Sequence, residues 1–331
     1  MKKGLKVVIS FFLMLFIAVS VFSAGKQEAV KPTGERYKFF VVSHGGPADP
    51  FWGVVMKGAK EAGEMFNCDV QYLGPEKFSI QKLVDMVETA VASDPDGLVV
   101  TITDAKALDQ PLKDAINKKG IPVVAINVPD YRPFEERIPY LAYVGADDYK
   151  VGIEGARRML KAFAPGKPER GVVSIHEVGH AGLEARARGI TEVFTEKGIP
   201  VEKLATSPNA SETYQAVDAY LTKNPDTDAI FTLGPLDTHP VLRLREEKGL
   251  LDKTKQGAVD LSPTIIKAIR EEKLLFTVEQ QQYLQGYLPI GLLVLYNKFG
   301  LIPHDDILTG PAIVDKDNVE IVAEMVEKNY R

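Results

Sequence analysis

The pentapeptide at 176–180, His-Glu-Val-Gly-His, has the spacing of a zinc hydrolase motif. In that chemistry two histidines one helical turn apart hold the metal, and the glutamate activates a metal-bound water. Here the pentapeptide follows a predicted strand and contains Gly179, which indicates a loop rather than a helix. We therefore predict that the match is coincidental and that no metal binds. A zinc hydrolase that uses His176, Glu177 and His180 is the enzyme alternative.

Aromatic side chains open the first predicted helix, directly after the first predicted strand. Trp52 is the only tryptophan, and it lies about 100° off the apolar helical stripe that contains Phe51. An aromatic plane at the mouth of a cleft stacks well on the C–H face of a sugar ring. We interpret Trp52 as a ligand contact, with an edge-of-core aromatic as the alternative, and Phe51 as either core or ligand contact. Asp49, which precedes Pro50, is predicted to cap the helix and is a weaker ligand candidate.

Polar side chains that can bind hydroxyl groups follow several later predicted strands, or open the helices after them: Asn127, Arg186, Asp260 and Gln280. Local roles compete with ligand binding at three of them, since Asn127 could serve a turn, Arg186 an ion pair and Gln280 a polar turn. Asp260 has no such role, because Ser262 already provides the cap of the next helix. We predict all four as ligand-binding residues.

Phosphate-binding and acyl-transfer motifs do not follow any predicted strand. There is no nucleophile elbow, Walker loop or GxGxxG at these positions. We therefore predict no catalytic residues, no cofactor and no enzymatic activity.

The elements that must position these residues alternate between short apolar strands and amphipathic helices from Tyr37 onward. Strands that are apolar on both faces and separated by helices are typical of parallel sheets covered on both sides. A proline-rich stretch at 127–137 interrupts this rhythm, and a second series begins at Tyr140. The pattern predicts an α/β fold with two doubly wound lobes. Ligands of such sheets bind beyond the carboxyl ends of the strands, where the candidate residues stand.

The composition narrows the class of ligand. The chain has 331 residues, 45% of them hydrophobic, with 40 basic and 45 acidic residues and a formal net charge of −5. This length suggests two domains. An acidic body is a poor electrostatic match for nucleic acid or an anionic membrane surface. A neutral or cationic small ligand fits it better.

The N-terminus has the order of charged, apolar and small residues typical of a secretory signal. We predict a signal peptide at 1–25, with an uncleaved anchor as the alternative, and a polar leader at 26–36. The only cysteine is Cys68, so an intrachain disulfide is excluded. The sequence predicts a protein that is exported, to the periplasm or otherwise, after signal-peptide cleavage.

Taken in order, these motifs resemble the ribose/galactose-type periplasmic sugar-binding proteins. The resemblance rests on the aromatic pair after the first strand, the strand that ends at Asn127, the helix start around Arg186, the Gly-Ala-Val-Asp run that ends at Asp260 and the Thr-Val-Glu-Gln run that ends at Gln280. It implies two Rossmann-like lobes joined by a three-segment hinge, with sugar bound between them and delivered to a membrane-embedded ABC permease. The implied lobes are 37–127 plus about 281–308, and 128–280 plus about 309–331.

Residue roles follow from the resemblance position by position. Phe51 and Trp52 match the pair that sandwiches the sugar, and Asn127 matches a polar residue that is often Asp in the family. The other matches are an arginine at a helix start, the Asp of a strand end and a hinge glutamine, which are Arg186, Asp260 and Gln280 here. The family commonly has Asn or Asp where this chain has Gly234. That contact is missing or is replaced by His176 or Asp237, which are weaker candidates, and the identity of the sugar stays open.

The sequence thus favours an exported monomeric receptor for a monosaccharide or polyol. Its expected partner is an ABC permease, with a chemoreceptor as a further candidate and no nucleic acid. The nearest alternative is the same fold with a non-sugar ligand, such as an autoinducer or a nucleoside. A lac-repressor-type regulator shares the lobes but requires an N-terminal helix-turn-helix, where this chain has an export signal.

Overall fold

The computed structural model describes residues 36–331. The predicted signal peptide and the predicted leader, apart from Arg36, lie outside the described residues. Among the described helices, none combines the length and the apolar character needed to cross a membrane.

The first sheet contains six strands of the described chain in the order β2-β1-β3-β4-β5-β11, all parallel. Its strands are β1 (Lys38–Val42), β2 (Asp69–Leu73), β3 (Gly97–Val100), β4 (Val123–Ile126), β5 (Ala142–Ala146) and β11 (Ile307–Gly310). Both faces of this sheet are covered. On β1, Phe39 and Val41 pack into one apolar cluster, whereas Phe40 and Val42 pack into the other, because successive side chains of a strand point to opposite faces.

The second sheet repeats this order within the described chain as β7-β6-β8-β9-β10-β12, with only β12 antiparallel to its neighbour. Its strands are β6 (Arg170–Ile175), β7 (Val201–Ala205), β8 (Thr227–Thr232), β9 (Lys255–Val259), β10 (Phe276–Glu279) and β12 (Ala312–Asp315). The helices that flank the two sheets are α1 (Pro50–Phe66), α2 (Ile80–Ala92), α3 (Ala105–Lys119), α4 (Asp148–Phe163), α5 (Ala181–Glu196), α6 (Ala210–Lys223), α7 (Pro235–Glu247), α8 (Pro263–Arg270), α9 (Gln282–Phe299) and α10 (Val319–Glu327).

The chain passes between the lobes at three places: from β5 to α4, from β10 to α9, and from β11 to β12. Helix α9 returns to the first lobe, where Ile290 and Leu293 share a core cluster with β1 and α1. This architecture confirms the predicted fold of two doubly wound α/β lobes joined by a three-segment hinge.

The first crossing lies later in the chain than the sequence predicted. Residues 128–280 were assigned to the second lobe, but β5 pairs with β4 in the first sheet, with Val124 beside Ala142 and Ile126 beside Val144. The proline-rich stretch is a loop with one short 3-10 turn at Phe134–Glu136, and it stays in the first lobe. An apolar strand pattern does not say which sheet the strand will join, so the break in rhythm was mistaken for the lobe boundary.

Candidate functional site

A cavity lies between the lobes, at the carboxyl ends of strands from both sheets. Seven of the nine residues predicted from the sequence line it: Asp49, Phe51, Trp52, Asn127, His176, Arg186 and Asp260. The two exceptions are Gln280 and Asp237. Doubly wound sheets bind ligands at this edge, because the loops after the strands converge there.

The aromatic pair is fixed at the start of α1. The Asp49 carboxylate accepts a hydrogen bond from the Phe51 backbone N–H at 2.9 Å, and Pro50 occupies the first helical turn. This cap sets where the helix begins and turns both aromatic rings toward the cavity. The rings of Phe51 and Trp52 meet edge to face, with centroids 4.9 Å apart. Both side chains are buried, so each residue belongs to the apolar core and also forms part of the cavity wall.

Arg186 is buried in the first turns of α5, and two carboxylates lie near its guanidinium group. Its Nε donates to the Asp148 carboxylate at 2.7 Å, and one Nη donates to the Leu233 carbonyl oxygen at 2.7 Å. The Asp260 carboxylate lies 3.9 Å from the same Nη. Burial lowers the pKa of Arg186, but Asp148 and Asp260 raise it by more. The sequence missed Asp148, which opens α4 directly after its cap, Asp147, and which fixes the guanidinium in place.

Asp260 follows β9 in the left-handed backbone region, with φ of 72°. Burial raises the pKa of its carboxyl group to about 7, against the opposing effects of Arg186 and the Gln280 hydrogen bond. The Gln280 side chain donates to Asp260 at 2.6 Å and does not line the cavity. Gln280 therefore positions Asp260. The sequence predicted Gln280 as a ligand contact, but its side chain does not line the cavity. A glutamine in a strand-end motif carries no signal that separates these two roles.

Asp237 caps α7 rather than lining the cavity. Its carboxylate accepts hydrogen bonds from the backbone N–H groups of Leu233 and Gly234, both at 3.1 Å, and the side chain is fully buried. It lies 3.5 Å from Nδ1 of His176. Burial lowers the pKa of His176, but Asp237 and other nearby carboxylates raise it by more.

His176 occupies the space above Gly234. A Cβ atom at position 234 would lie 3.0 Å from Cε1 of the His176 ring, so a larger side chain would have to displace that ring. The imidazole thus fills the volume that a side chain at 234 would otherwise use. Of the two weaker candidates for this replacement, the structure places His176 at the cavity and Asp237 behind it.

Asn127 also adopts a left-handed backbone conformation, with φ of 59°, which asparagine tolerates better than most residues. Its side-chain amide donates to the side-chain oxygen Oε1 of Gln285 at 3.3 Å, and its backbone carbonyl accepts a hydrogen bond from the Tyr143 hydroxyl at 2.6 Å. Asn127 therefore both adopts a turn conformation and lines the cavity.

The pentapeptide at 176–180 forms a loop, as predicted, and its last residue, His180, caps α5. Nδ1 of His180 accepts a hydrogen bond from the Leu183 backbone N–H at 3.2 Å, and Nε2 of His180 lies 2.9 Å from Nε2 of His44. Because Nδ1 is an acceptor, the ring proton of neutral His180 is on Nε2 and is donated to His44. His44 then donates from Nδ1 to the Thr101 hydroxyl at 3.1 Å.

This series of hydrogen bonds affects whether the two histidines can bind a metal ion. Within residues 36–331, the ligand atoms of His44, Glu177 and His180 lie within 4.8 Å of one another, a spacing that could hold an ion. However, the proton on Nε2 of His180 occupies the position a metal would need, and moving it would break the helix cap. Burial lowers the pKa of His44 to about 3 and that of His180 well below its usual value, so both rings are neutral. The prediction of no metal stays a prediction, with this pattern as its support.

The sequence overlooked His44, although it directly follows the loop residue after β1, at the edge where other candidates were sought. Glu177, considered only as part of the zinc motif, is half-buried in the cavity wall, and burial raises its pKa to about 7. The pKa of Asp49 is also raised, mainly by burial. The cavity therefore presents carboxyl, guanidinium, imidazole and amide groups around an aromatic pair.

Comparison with known proteins finds a matching protein family and a similar sugar-binding protein. Residues 39–299 match the periplasmic binding protein domain family. The xylose/arabinose-binding protein XylF of Sulfolobus acidocaldarius is 28% identical over 301 residues, which are 87% of this chain and 73% of that protein.

Solved structures extend this similarity. A periplasmic sugar-binding protein of an ABC sugar transporter from Legionella pneumophila is 30% identical, with a TM-score of 0.77, over 83% of this chain and 100% of that one. A carbohydrate transporter protein from Acidothermus cellulolyticus, crystallised in complex with myo-inositol, is 27% identical, with a TM-score of 0.81, over 90% of this chain and 100% of that one.

Proposed function

The chain belongs to the periplasmic binding protein domain family, and from this premise we propose that it is an exported receptor that captures a monosaccharide or related polyol and delivers it to an ABC permease. The family consists of solute-binding proteins, and the relatives named above bind or transport sugars or a polyol. The observation that carries the proposal is the interlobe cavity, in which Phe51 and Trp52 stand opposite hydroxyl-binding groups. Signal-peptide cleavage and a monomeric state belong to the same proposal, and a chemoreceptor stays a further candidate partner.

The chemistry of the cavity suits an uncharged polyhydroxylated ligand. Trp52 offers apolar area of fixed geometry for stacking on a sugar ring. Arg186 donates to hydroxyl oxygens, while Asp260 and Asn127 accept hydroxyl hydrogens. We assign His176 the contact that a side chain at position 234 makes elsewhere in the family, because its ring fills that space.

Capture follows from the contact of both lobes with the same ligand. The aromatic pair and Asn127 belong to the first lobe, whereas Arg186 and Asp260 belong to the second. A sugar that bridges them is bound fully only when the lobes close, so it shifts the open–closed equilibrium. Closure also excludes water, and a ligand that leaves a buried polar group unpaired then binds less tightly. The closed arrangement presents the permease with a surface composed of both lobes.

Site-directed variants test the assignment of the cavity. We expect Trp52→Ala to lose the stacking surface and Asp260→Ala to lose a hydroxyl acceptor, and each to weaken sugar binding more than tenfold in calorimetric titration. Phe134→Ala is the matched control, since this aromatic is largely exposed and outside the cavity. Unchanged affinity in both cavity variants would move the site elsewhere.

A thermal-shift screen identifies the ligand class. The panel contains pentoses, hexoses, polyols, nucleosides and amino acids. A ligand present at 100 times its dissociation constant stabilises the folded state by about 2.7 kcal/mol. Stabilisation by nucleosides or amino acids alone would refute the sugar assignment.

A further inference from the structure

A second space adjoins the sugar cavity at the mouth of the cleft. This outer chamber has a volume of about 360 Å³ and is lined by residues 45, 46, 48, 49 and 75–78 of the first lobe and by residues 177, 207–209, 212 and 236 of the second. Asp49 and Glu177 line both the cavity and the outer chamber. The two spaces are therefore neighbours that meet at this pair of carboxyl groups.

The outer chamber is present although the lobes are in contact. His44 of the first lobe is hydrogen-bonded to His180 of the second, and the Ala181 backbone N–H donates to the Thr103 carbonyl oxygen at 3.3 Å. The space is thus not simply an open cleft that vanishes when the lobes meet. Its volume falls within the range of about 300–1,000 Å³ that is typical of small-molecule sites.

The wall of the outer chamber contains an aromatic ring with no assigned role. The half-buried Phe78 lines the chamber, and its ring centroid lies 6.0 Å from that of His44 and 5.6 Å from that of His180. The two histidines line the inner cavity, so Phe78 stands between the two spaces. An aromatic ring in this position can stack on a sugar ring that continues outward from the cavity.

Polar groups complete the wall. Glu177 lines the chamber, and its carboxyl group has no hydrogen bond or ion pair with any other side chain or backbone group of residues 36–331. The carboxyl group is therefore available to a hydroxyl group of a ligand. Asn209 caps α6 with its side-chain oxygen Oδ1, and its side-chain NH₂ group stays a donor. An aromatic face with a few converging polar groups is the usual composition of a ligand site.

The charge of the chamber limits the ligand. Its acidic residues are Asp49, Glu76, Glu177 and Glu212, and its one basic residue among the described lining residues is Lys77. An acidic sugar would meet like charges there, whereas a neutral sugar would not.

We propose that the outer chamber is a second saccharide subsite, so that the protein binds a neutral disaccharide or glycoside with one ring in the cavity and the next stacked on Phe78. The glycosidic bond passes between Asp49 and Glu177, which line both spaces. This inference rests on the proposed function, in which the cavity binds one sugar ring, and it extends the ligand from one ring to two.

Paired ligands test the subsite by calorimetric titration of the full chain. The probes are D-xylose with xylobiose, D-glucose with cellobiose, and D-galactose with lactose. For at least one pair we expect the disaccharide to bind more than tenfold tighter than its monosaccharide. We expect Phe78→Ala to remove that gain while it leaves the monosaccharide affinity within twofold, and Phe78→Tyr to retain it. A second variant, Ala48→Trp, should block the chamber and select against the disaccharide in the same way.

The outcomes separate this inference from the proposed function. If monosaccharides bind but no disaccharide binds tighter, the second subsite is refuted and the sugar receptor stands. Equal weakening of both members of a pair by Phe78→Ala also refutes the subsite. If no saccharide in the panel binds, both proposals fail. Phe134→Ala, which alters an exposed aromatic outside both spaces, should change no affinity.

Discussion

Asp260 combines a left-handed backbone conformation with a buried carboxyl group, and burial raises its pKa to about 7. The ionised carboxylate accepts hydroxyl hydrogens, whereas the protonated form also donates. The protonation state of Asp260 therefore decides which arrangement of sugar hydroxyl groups it fits. Gln280 and Arg186 favour the ionised form, the first through a hydrogen bond and the second through its charge.

The raised pKa of Asp260 predicts a pH-dependent stability. The folded-state pKa lies above the value of about 3.9 expected in the unfolded chain, so the folded state binds the proton more tightly. Its contribution to the free energy of unfolding is fully present below about pH 4 and is lost as the pH rises through 7. We expect the ligand-free protein to lose stability between about pH 4 and 7 more steeply than Asp260→Asn does, by up to about 1.4 kcal/mol per pH unit. Urea unfolding measures both slopes, and parallel slopes would contradict the prediction.

At the scale of elements, the close approach of α4 and α5 places Arg186 against Asp148. A Cβ atom on Gly152 would overlap the Arg186 carbonyl oxygen, and one on Gly189 would overlap the Tyr149 carbonyl oxygen. The two glycines therefore let the helix backbones approach more closely than larger residues permit. This distance brings the first turn of α4 within hydrogen-bond reach of Arg186.

Gly152→Ala tests the role of this helix contact. The added methyl group must push α5 away, which costs about 1–3 kcal/mol of overpacking and shifts Arg186 relative to the cavity. We expect lower stability in urea unfolding and weaker sugar binding in titration. Gly155→Ala in the same helix is the control, because its Cβ would meet Phe276 and Val278 at an ordinary 3.6 Å. Equal effects of the two substitutions would show that helix spacing does not position the site.

At the scale of the whole molecule, the lobes touch outside the cavity as well as around it. Tyr131, in the loop of the first lobe between β4 and β5, donates its hydroxyl hydrogen to the Asp148 carboxylate of the second lobe at 2.9 Å. Tyr131 does not line the cavity. Its hydrogen bond therefore stabilises the contact between lobes without touching the ligand.

Tyr131→Phe should weaken sugar binding through closure alone. Loss of one hydrogen bond destabilises the closed form by about 1 kcal/mol, which corresponds to roughly fivefold weaker binding. Calorimetric titration measures the affinity, and small-angle X-ray scattering should show a larger radius of gyration for the ligand-free variant than for the wild type. Tyr149→Phe is the control, because that hydroxyl bonds to Glu192 within the second lobe. The same loss of affinity in both variants would rule out an effect on closure.

Much of the fold and part of the site could be predicted because their signals are local. The alternation of apolar strands with amphipathic helices predicts two doubly wound lobes, and the cap at Asp49 with Pro50 marks where α1 begins. Trp52, Asn127 and Asp260 stand beyond strand ends, and parallel sheets collect such residues at one edge whatever the rest of the chain does.

The remaining features depend on groups far apart in the sequence. Strand β5 belongs to the first sheet because it pairs with β4. The hydrogen bond between His44 and His180 joins rings that are 136 residues apart in the sequence. The placement of Gln280 behind Asp260, and the outer chamber beside Phe78, likewise arise only when strands have paired and the lobes have met. The sequence by itself determined the elements and their functional edge, because periodicity and capping act over a few residues. Tertiary structure decided which side chains face each other and how much space they enclose, because both depend on long-range packing.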